Sequence, residues 1–349
     1  MNNKFFPINF LFIIIMMMST IISLSSSHWL TMWIGLEMNL MALLPLLNIK
    51  GKNSEIESSM KYFIIQSMSS SILLMSSIMI YYYSLSWYSM FNDSIFSLIL
   101  MLALLLKLGA APLHLWLPSI TKQMSWLMLF LILTWQKIAP LFMLSFINYY
   151  FTTIIIFSLF SVIMGSLMAI NQTNMQLIIT YSSISHLGWM LSTILINNMT
   201  SMIYLMFYIL LLIPLMNYLN NHSNHNIYNL TQQTSKKTNN NILIITLILS
   251  LSGMPPFMGF ISKLLVLLTL INVNLILFSL ILFIGTLISL YFYLNMILML
   301  FIKSYFIINS KNNLFNTSSF FSLNIISIFI FMHLLIIFMI YAMIILNKS

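Results

Sequence analysis

The chain has 349 residues, of which 61% are hydrophobic and 5% charged, with a mean hydropathy of +1.02. Soluble domains carry roughly 25% charged residues, so a water-soluble fold is excluded and a polytopic membrane protein is expected. All 13 basic residues are lysines, and against Glu37, Glu55, Glu57 and Asp93 they leave a net charge of +9. They are scattered, with no run longer than Lys236-Lys237, so the basic excess does not point to nucleic acid.

With no cysteine, the chain can hold no disulfide, thiolate metal site or iron–sulfur cluster. The absence of arginine beside abundant Met, Ile, Phe, Asn and Lys has the composition of translation from an A+T-rich, organellar genome. Lys4 precedes an apolar run from Phe10 to Leu24 without a small-residue cleavage site, which predicts a retained first helix. An arginine-rich transit peptide is also lacking, so a mitochondrial location requires synthesis inside the organelle.

At about 20 apolar residues per span, eleven helices are predicted. They lie near 8 to 26, 28 to 48, 59 to 83, 94 to 117, 124 to 147, 151 to 170, 174 to 196, 200 to 219, 242 to 272, 275 to 301 and 322 to 346. The fourth and ninth are predicted to be broken. In KLGAAPLHLWLP, Lys107 to Pro118, Gly109 and Pro112 interrupt an apolar helix. In LSGMPPFMGFISK, Leu251 to Lys263, the same is done by Gly253, Pro255, Pro256 and Gly259. Proline removes a backbone donor and frees carbonyls at membrane depth, where they need water, protein or an ion as partner.

The two breaks lie five spans apart, an odd offset that presents the motif in opposite membrane orientation, as in an inverted repeat. Residues 1–150 and 151–301 are then the two five-helix halves, and 302–349 a polar loop with a C-terminal helix. The polar connection from Asn220 to Asn241 reads as a surface loop. With this span count, Lys4, Lys50, Lys52, Lys61, Lys122, Lys236, Lys237, Lys303 and Lys311 fall on one side and Lys348 on the other. Positive residues collect on the negative side, so the N-terminus is expected there.

Four charges remain inside the spans: Glu37, Lys107, Lys137 and Lys263. Together they cost on the order of 10 kcal/mol if unpaired, which argues for function over accident. Static ion pairing or snorkelling is the bland alternative, but Glu37 and Lys137 lie too far from either helix end to snorkel. Their chemistry suits proton or cation relay. A lysine out of water holds its proton less firmly, and an approaching carboxylate restores the hold.

His186 in mid-helix and His114 after the first break are further relay candidates. His28 and His333 read as interface or packing residues. His222 and His225 form an H-x-x-H without acidic or thiol company, a poor metal site. The eight glycines form no nucleotide-binding loop, and no Ser/His/acid set is suggested. The 31 methionines and the aromatic residues read as lipid-facing and packing material.

Six motifs, in order, resemble the subunit 2 family of mitochondrial NADH:ubiquinone oxidoreductase, respiratory complex I. They are WIGLEMN (33–39), KYF followed by Gln66, KLGAAPLHLWLP (107–118), LTWQKIAP (133–140), YSSISHLGWM (181–190) and LSGMPPFMGFISK (251–263). The length and span count fit the animal form, and the composition an insect-like genome. The family is itself similar to Mrp-type cation/proton antiporters.

The resemblance implies an antiporter-like membrane-arm module in the mitochondrial inner membrane, its N-terminus on the matrix side. It implies proton translocation driven by quinone reduction elsewhere, with FMN, iron–sulfur clusters and ubiquinone on other subunits and no cofactor on this chain. Partners are then the other membrane-arm subunits, neighbouring antiporter-like ones included, and lipid. Glu37 and Lys107 are expected as the module's carboxylate–lysine pair, Lys137 as central relay, Lys263 as the lysine of the second break and His186 on the axis between. Ser119 stands where relatives are expected to carry an acid, and Leu177, Ile178 and Ile179 where basic residues are expected. A free-standing antiporter and a non-pumping scaffold are the rival readings.

Overall fold

The computed structural model describes residues 6–49, 51–84, 95–147, 151–194, 196–222, 238–255 and 257–310. The predicted last helix, Lys4, Lys50, Lys236, Lys237, Lys311, Lys348, His225, His333 and Pro256 lie outside the described residues.

Every regular element among the described residues is a helix. In chain order these are α1 (Phe6–Ser25), α2 (Trp29–Leu47), α3 (Asn53–Ser84), α4 (Ile95–Leu108), α5 (Trp116–Thr121), α6 (Trp126–Leu133) and α7 (Trp135–Leu144). There follow α8 (Phe151–Ala169), α9 (Met175–Ile194), α10 (Asn198–His222), α11 (Thr238–Ser252), α12 (Met258–Asn272) and α13 (Ile276–Ser310). Among the described residues, six stretches are long and apolar enough to cross a membrane: Trp29–Leu47, Asn53–Tyr83, Trp126–Leu144, Phe151–Ala169, Asn198–Asn220 and Ile276–Met299.

Several boundaries move from those expected. α3 begins at Asn53, six residues early, because its first turn places Glu55 near the positive helix end and its Glu57 pairs with Lys61. The single helix predicted over 124–147 is two, divided at Thr134 (φ −115°, ψ −70°). There the Thr134 hydroxyl donates to Phe130 O at 2.7 Å and competes with the backbone ladder. α10 runs on to His222 and α11 starts at Thr238, so both ends of the predicted 220–241 loop are helical. α13 likewise continues past residue 301 to Ser310, taking in the start of the expected C-terminal loop.

Helix α9 lies at the centre. All of its residues but Leu177 and Tyr181 are buried, and it packs on α8, α10 and α12. Protein surrounds it, and this is why it can carry Thr180, Ser182, Ser183, Ser185 and His186 in a chain otherwise so apolar. The α8–α9 contact is close: a Cβ on Gly165 would stand 2.7 Å from the Ser185 backbone nitrogen. Small residues let helix backbones approach where lipid offers no hydrophobic drive to association.

The outer helices carry the opposite pattern. Met18 and Ile21 on α1, Met60, Met68 and Met75 on α3, and Leu277 and Ile284 on α13 are exposed apolar side chains. Water would not tolerate such a continuous surface, but lipid or apolar protein does. Serines on these helices satisfy their hydroxyls internally, as Ser71 does by donating to Met68 O at 2.8 Å. In hydrocarbon no other partner is on offer.

Candidate functional site

Lys107 is positioned by the end of α4. Gly109 adopts φ +73°, the Gly109 amide donates to Leu106 O and the Ala110 amide to Leu105 O, both at 3.1 Å. This paired closure ends a helix with its carbonyls satisfied, and the left-handed residue it needs is most easily glycine. A Cβ on Gly109 would stand 2.9 Å from Leu117 of α5, so the turn is also packed shut. Two side chains complete the cap: Trp116 Nε1 donates to Leu106 O at 3.2 Å, and Gln66 Nε2 to Lys107 O at 3.4 Å. The chain is helical again only at Trp116.

Lys107 is 8% exposed and interacts electrostatically with Glu37 on α2. The two are farther apart than an ion pair of 4.0 Å, and Glu37 Oε1 is buried without a hydrogen-bond partner. They form a separated pair, joined by field alone. Two residues on from Glu37, Asn39 exchanges hydrogen bonds with Gln136 of α7, Nδ2 to Oε1 at 3.1 Å and Nε2 to Oδ1 at 3.0 Å. This clamp sets the residue that precedes Lys137.

Lys137 is 3% exposed and donates to Ser183 O of α9 at 3.0 Å. Pro140, on the same helix, has no amide to offer the Gln136 carbonyl. A cavity of about 20 Å³ is lined by both Lys107 and Lys137, and by Gln66 and Gln136. That is room for about one water, in a polar setting that would hold it.

Beyond Lys137 the contacts continue through α10. Lys137 Nζ lies 5.6 Å from the centroid of the Tyr208 ring, and that centroid is 5.0 Å from the His186 ring. His186 is 4% exposed, and its Nδ1 is 2.8 Å from the Tyr204 hydroxyl. Tyr204 and Tyr208 are one helical turn apart, so α10 brackets the histidine with two phenols. Tyr208 and Tyr293 on α13 are buried as well, and their hydroxyls interact with Ser183 and Ser182 of α9. His186 interacts electrostatically with both Lys137 and Lys263.

Lys263 lies one helical turn inside α12, 7% exposed, and donates to Ser252 O at 2.8 Å. Ser252 is the last residue of α11, so the ammonium sits at a negative helix end. Gly253 (φ +81°) makes the turn, and a Cβ there would stand 2.8 Å from Lys263 Nζ. A cavity of about 10 Å³ joins Lys263 to His186, Ser185 and Tyr293.

The expected residues are therefore neighbours in turn: Glu37 reaches Lys107 through its field, Lys107 and Lys137 share a cavity, Lys137 and His186 both approach Tyr208, and His186 and Lys263 share the second cavity. His114 is buried at the first turn with its Nδ1 unpartnered, and it lines neither cavity. Sequence reasoning missed Asn39, Gln136, Tyr204, Tyr208 and Tyr293. The amides lay inside quoted motifs, and the tyrosines were read as packing material; a phenol in the middle of a span was the signal available.

An all-helical bundle that is apolar on its outer faces and carries buried lysines within is a polytopic membrane protein with an ionisable interior. The chain belongs to the NADH:quinone oxidoreductase/Mrp antiporter transmembrane family, whose model matches residues 26–289. It is 39% identical, over 85% of its length and 87% of the relative's, to NADH-ubiquinone oxidoreductase chain 2 of Anopheles gambiae, so the resemblance drawn from the six motifs holds. The fold is similar to that of a chain of respiratory complex I from Thermus thermophilus. The TM-score is 0.77 at 22% identity, over 84% of this chain and 70% of that one. It is also similar to a chain of the Mrp complex from Dietzia sp. DQ12-45-1b, with TM-score 0.72 at 15% identity over 82% and 59%.

Proposed function

We propose that the chain is a core membrane-arm subunit of NADH:ubiquinone oxidoreductase, an antiporter-like module that translocates protons while quinone is reduced elsewhere in the complex. The observation that carries this reading is the cavity lined by both Lys107 and Lys137, which puts two buried ammonium groups within reach of one water. Glu37 acts on Lys107 through its field, so a small displacement of either changes how firmly Lys107 holds a proton. Lys137 is the central relay, and His186 passes charge between it and Lys263. Moving one charge against about 180 mV costs roughly 4 kcal/mol, which a swing in the proton affinity of a buried lysine can supply.

In this reading α4 with α5, and α11 with α12, are each one interrupted span; ten spans form two inverted five-helix halves, 1–150 and 151–301, and an eleventh follows within 302–349. The protein sits in the mitochondrial inner membrane with its N-terminus in the matrix, among other membrane-arm subunits and lipid. It carries no redox centre; FMN, iron–sulfur clusters and ubiquinone belong to other subunits.

The test is native gel separation of gently solubilised inner membranes, with in-gel NADH oxidation and mass spectrometry of the stained band. The chain is expected in that band. Migration alone, without NADH activity, would overturn the assignment and favour the free-standing antiporter that the Mrp-like fold also suits.

A further inference from the structure

A third cavity, of about 210 Å³, lies between α12 and α13 where α11 ends. Its walls are apolar, with Trp189, Phe260 and Leu267 among them, and its lining includes Leu264 and Leu287, which are 37% and 51% exposed on the outer surface. At its inner end stand Ser252 and Lys263. Lys263 lines this cavity and the small polar cavity it shares with His186, and with Trp189 and Thr286 it forms the wall common to the two. Its ammonium carries three donors. One is used on Ser252 O, and among the described residues no carboxylate lies within ion-pair distance of it.

We propose that this cavity is a binding site for a single-chain anionic amphiphile, its alkyl chain between Leu264 and Leu287 and its head group on the free donors of Lys263. Charge complementarity selects the head: a buried ammonium without a counter-ion gains more from a carboxylate or phosphate than from any neutral group. The apolar walls, with their mouth on the outer surface, select the chain. A site of this volume takes one chain more readily than the two of an ordinary phospholipid. Once bound, the head group would hold the Lys263 proton in place and slow the relay. Binding stands on the cavity alone, while the effect on pumping rests on the proposed function.

The experiment is photolabelling of intact inner membranes with a palmitic acid analogue carrying a diazirine in its chain, followed by mass spectrometry of this chain. Labelling is expected on α12 and α13 beside Leu264 and Leu287. Unlabelled palmitate should displace the probe, and palmitate methyl ester should compete about tenfold less well, the loss expected for a hydrogen bond to a charged group. Lysophosphatidic acid, run in parallel, distinguishes the source: the better competitor of the two acids names the natural head group. Leu264→Trp and Leu287→Trp narrow the mouth from its exposed side and should each remove the label. Absence of label in this segment, or equal competition by acid and ester, overturns the proposal. Because the readout is labelling of this chain, its failure is distinct from a failure of the gel assay.

Discussion

Asn39 and Gln136, 97 positions apart, hold each other through two hydrogen bonds of 3.1 and 3.0 Å. The clamp joins α2, which carries Glu37, to α7, which carries Lys137, and it fixes Gln136, which lines the cavity shared by Lys107 and Lys137. Asn39→Leu would leave the Gln136 amide facing apolar surroundings, at a cost of about 1–3 kcal/mol. The double variant Asn39→Leu, Gln136→Leu should recover much of that loss, since no polar group is then stranded. Thermal stability of the intact complex, measured across the four members of the cycle, checks this.

Lys137→Met keeps the length of the side chain but removes its charge and its bond to Ser183 O. If Lys137 is the central relay, coupled proton translocation should fall about a hundredfold or more, the scale of losing a positioned acid–base group. The complex should still assemble. Normal pumping by an assembled Lys137→Met complex, measured in vesicles, would leave only the scaffold reading.

The two tyrosines of α10 should respond differently. Tyr204→Phe leaves His186 Nδ1 without its partner at 2.8 Å and should destabilise the bundle by about 1–3 kcal/mol. Tyr208→Phe keeps the His186–Tyr204 bond and gives up only the weaker interaction of its hydroxyl with Ser183, so its cost should be the smaller of the two. Thermal unfolding of the two variants side by side gives the comparison.

Gly51 and Gly253 both adopt positive φ, at +63° and +81°. Alanine at either costs about 1–2 kcal/mol of backbone strain. At Gly51 nothing lies within 4 Å of the added Cβ, whereas at Gly253 it would stand 2.8 Å from Lys263 Nζ. Gly253→Ala should therefore also displace the ammonium from Ser252 O and slow pumping, while Gly51→Ala should leave pumping unchanged. Proton translocation per NADH oxidised separates strain from the specific contact.

The sequence by itself determined the class of protein, because a chain with 5% charged residues has no soluble fold open to it. It also exposed Glu37, Lys107, Lys137 and Lys263, since each charge in a span is costly enough to stand out against its apolar neighbours. Gly109 and Gly253 were legible as helix ends for the same local reason. What only the tertiary structure decided are the partners. The Lys137 bond to a backbone carbonyl of α9 and the Asn39–Gln136 clamp join residues far apart in sequence, and hydropathy carries no trace of them. Tyr204 and Tyr208 resemble packing residues when read along α10 alone, and join the polar contacts only when α9 turns His186 toward them. The separation of Glu37 from Lys107 likewise depends on how α2 lies against α4, a matter of side-chain packing between helices that no local pattern encodes.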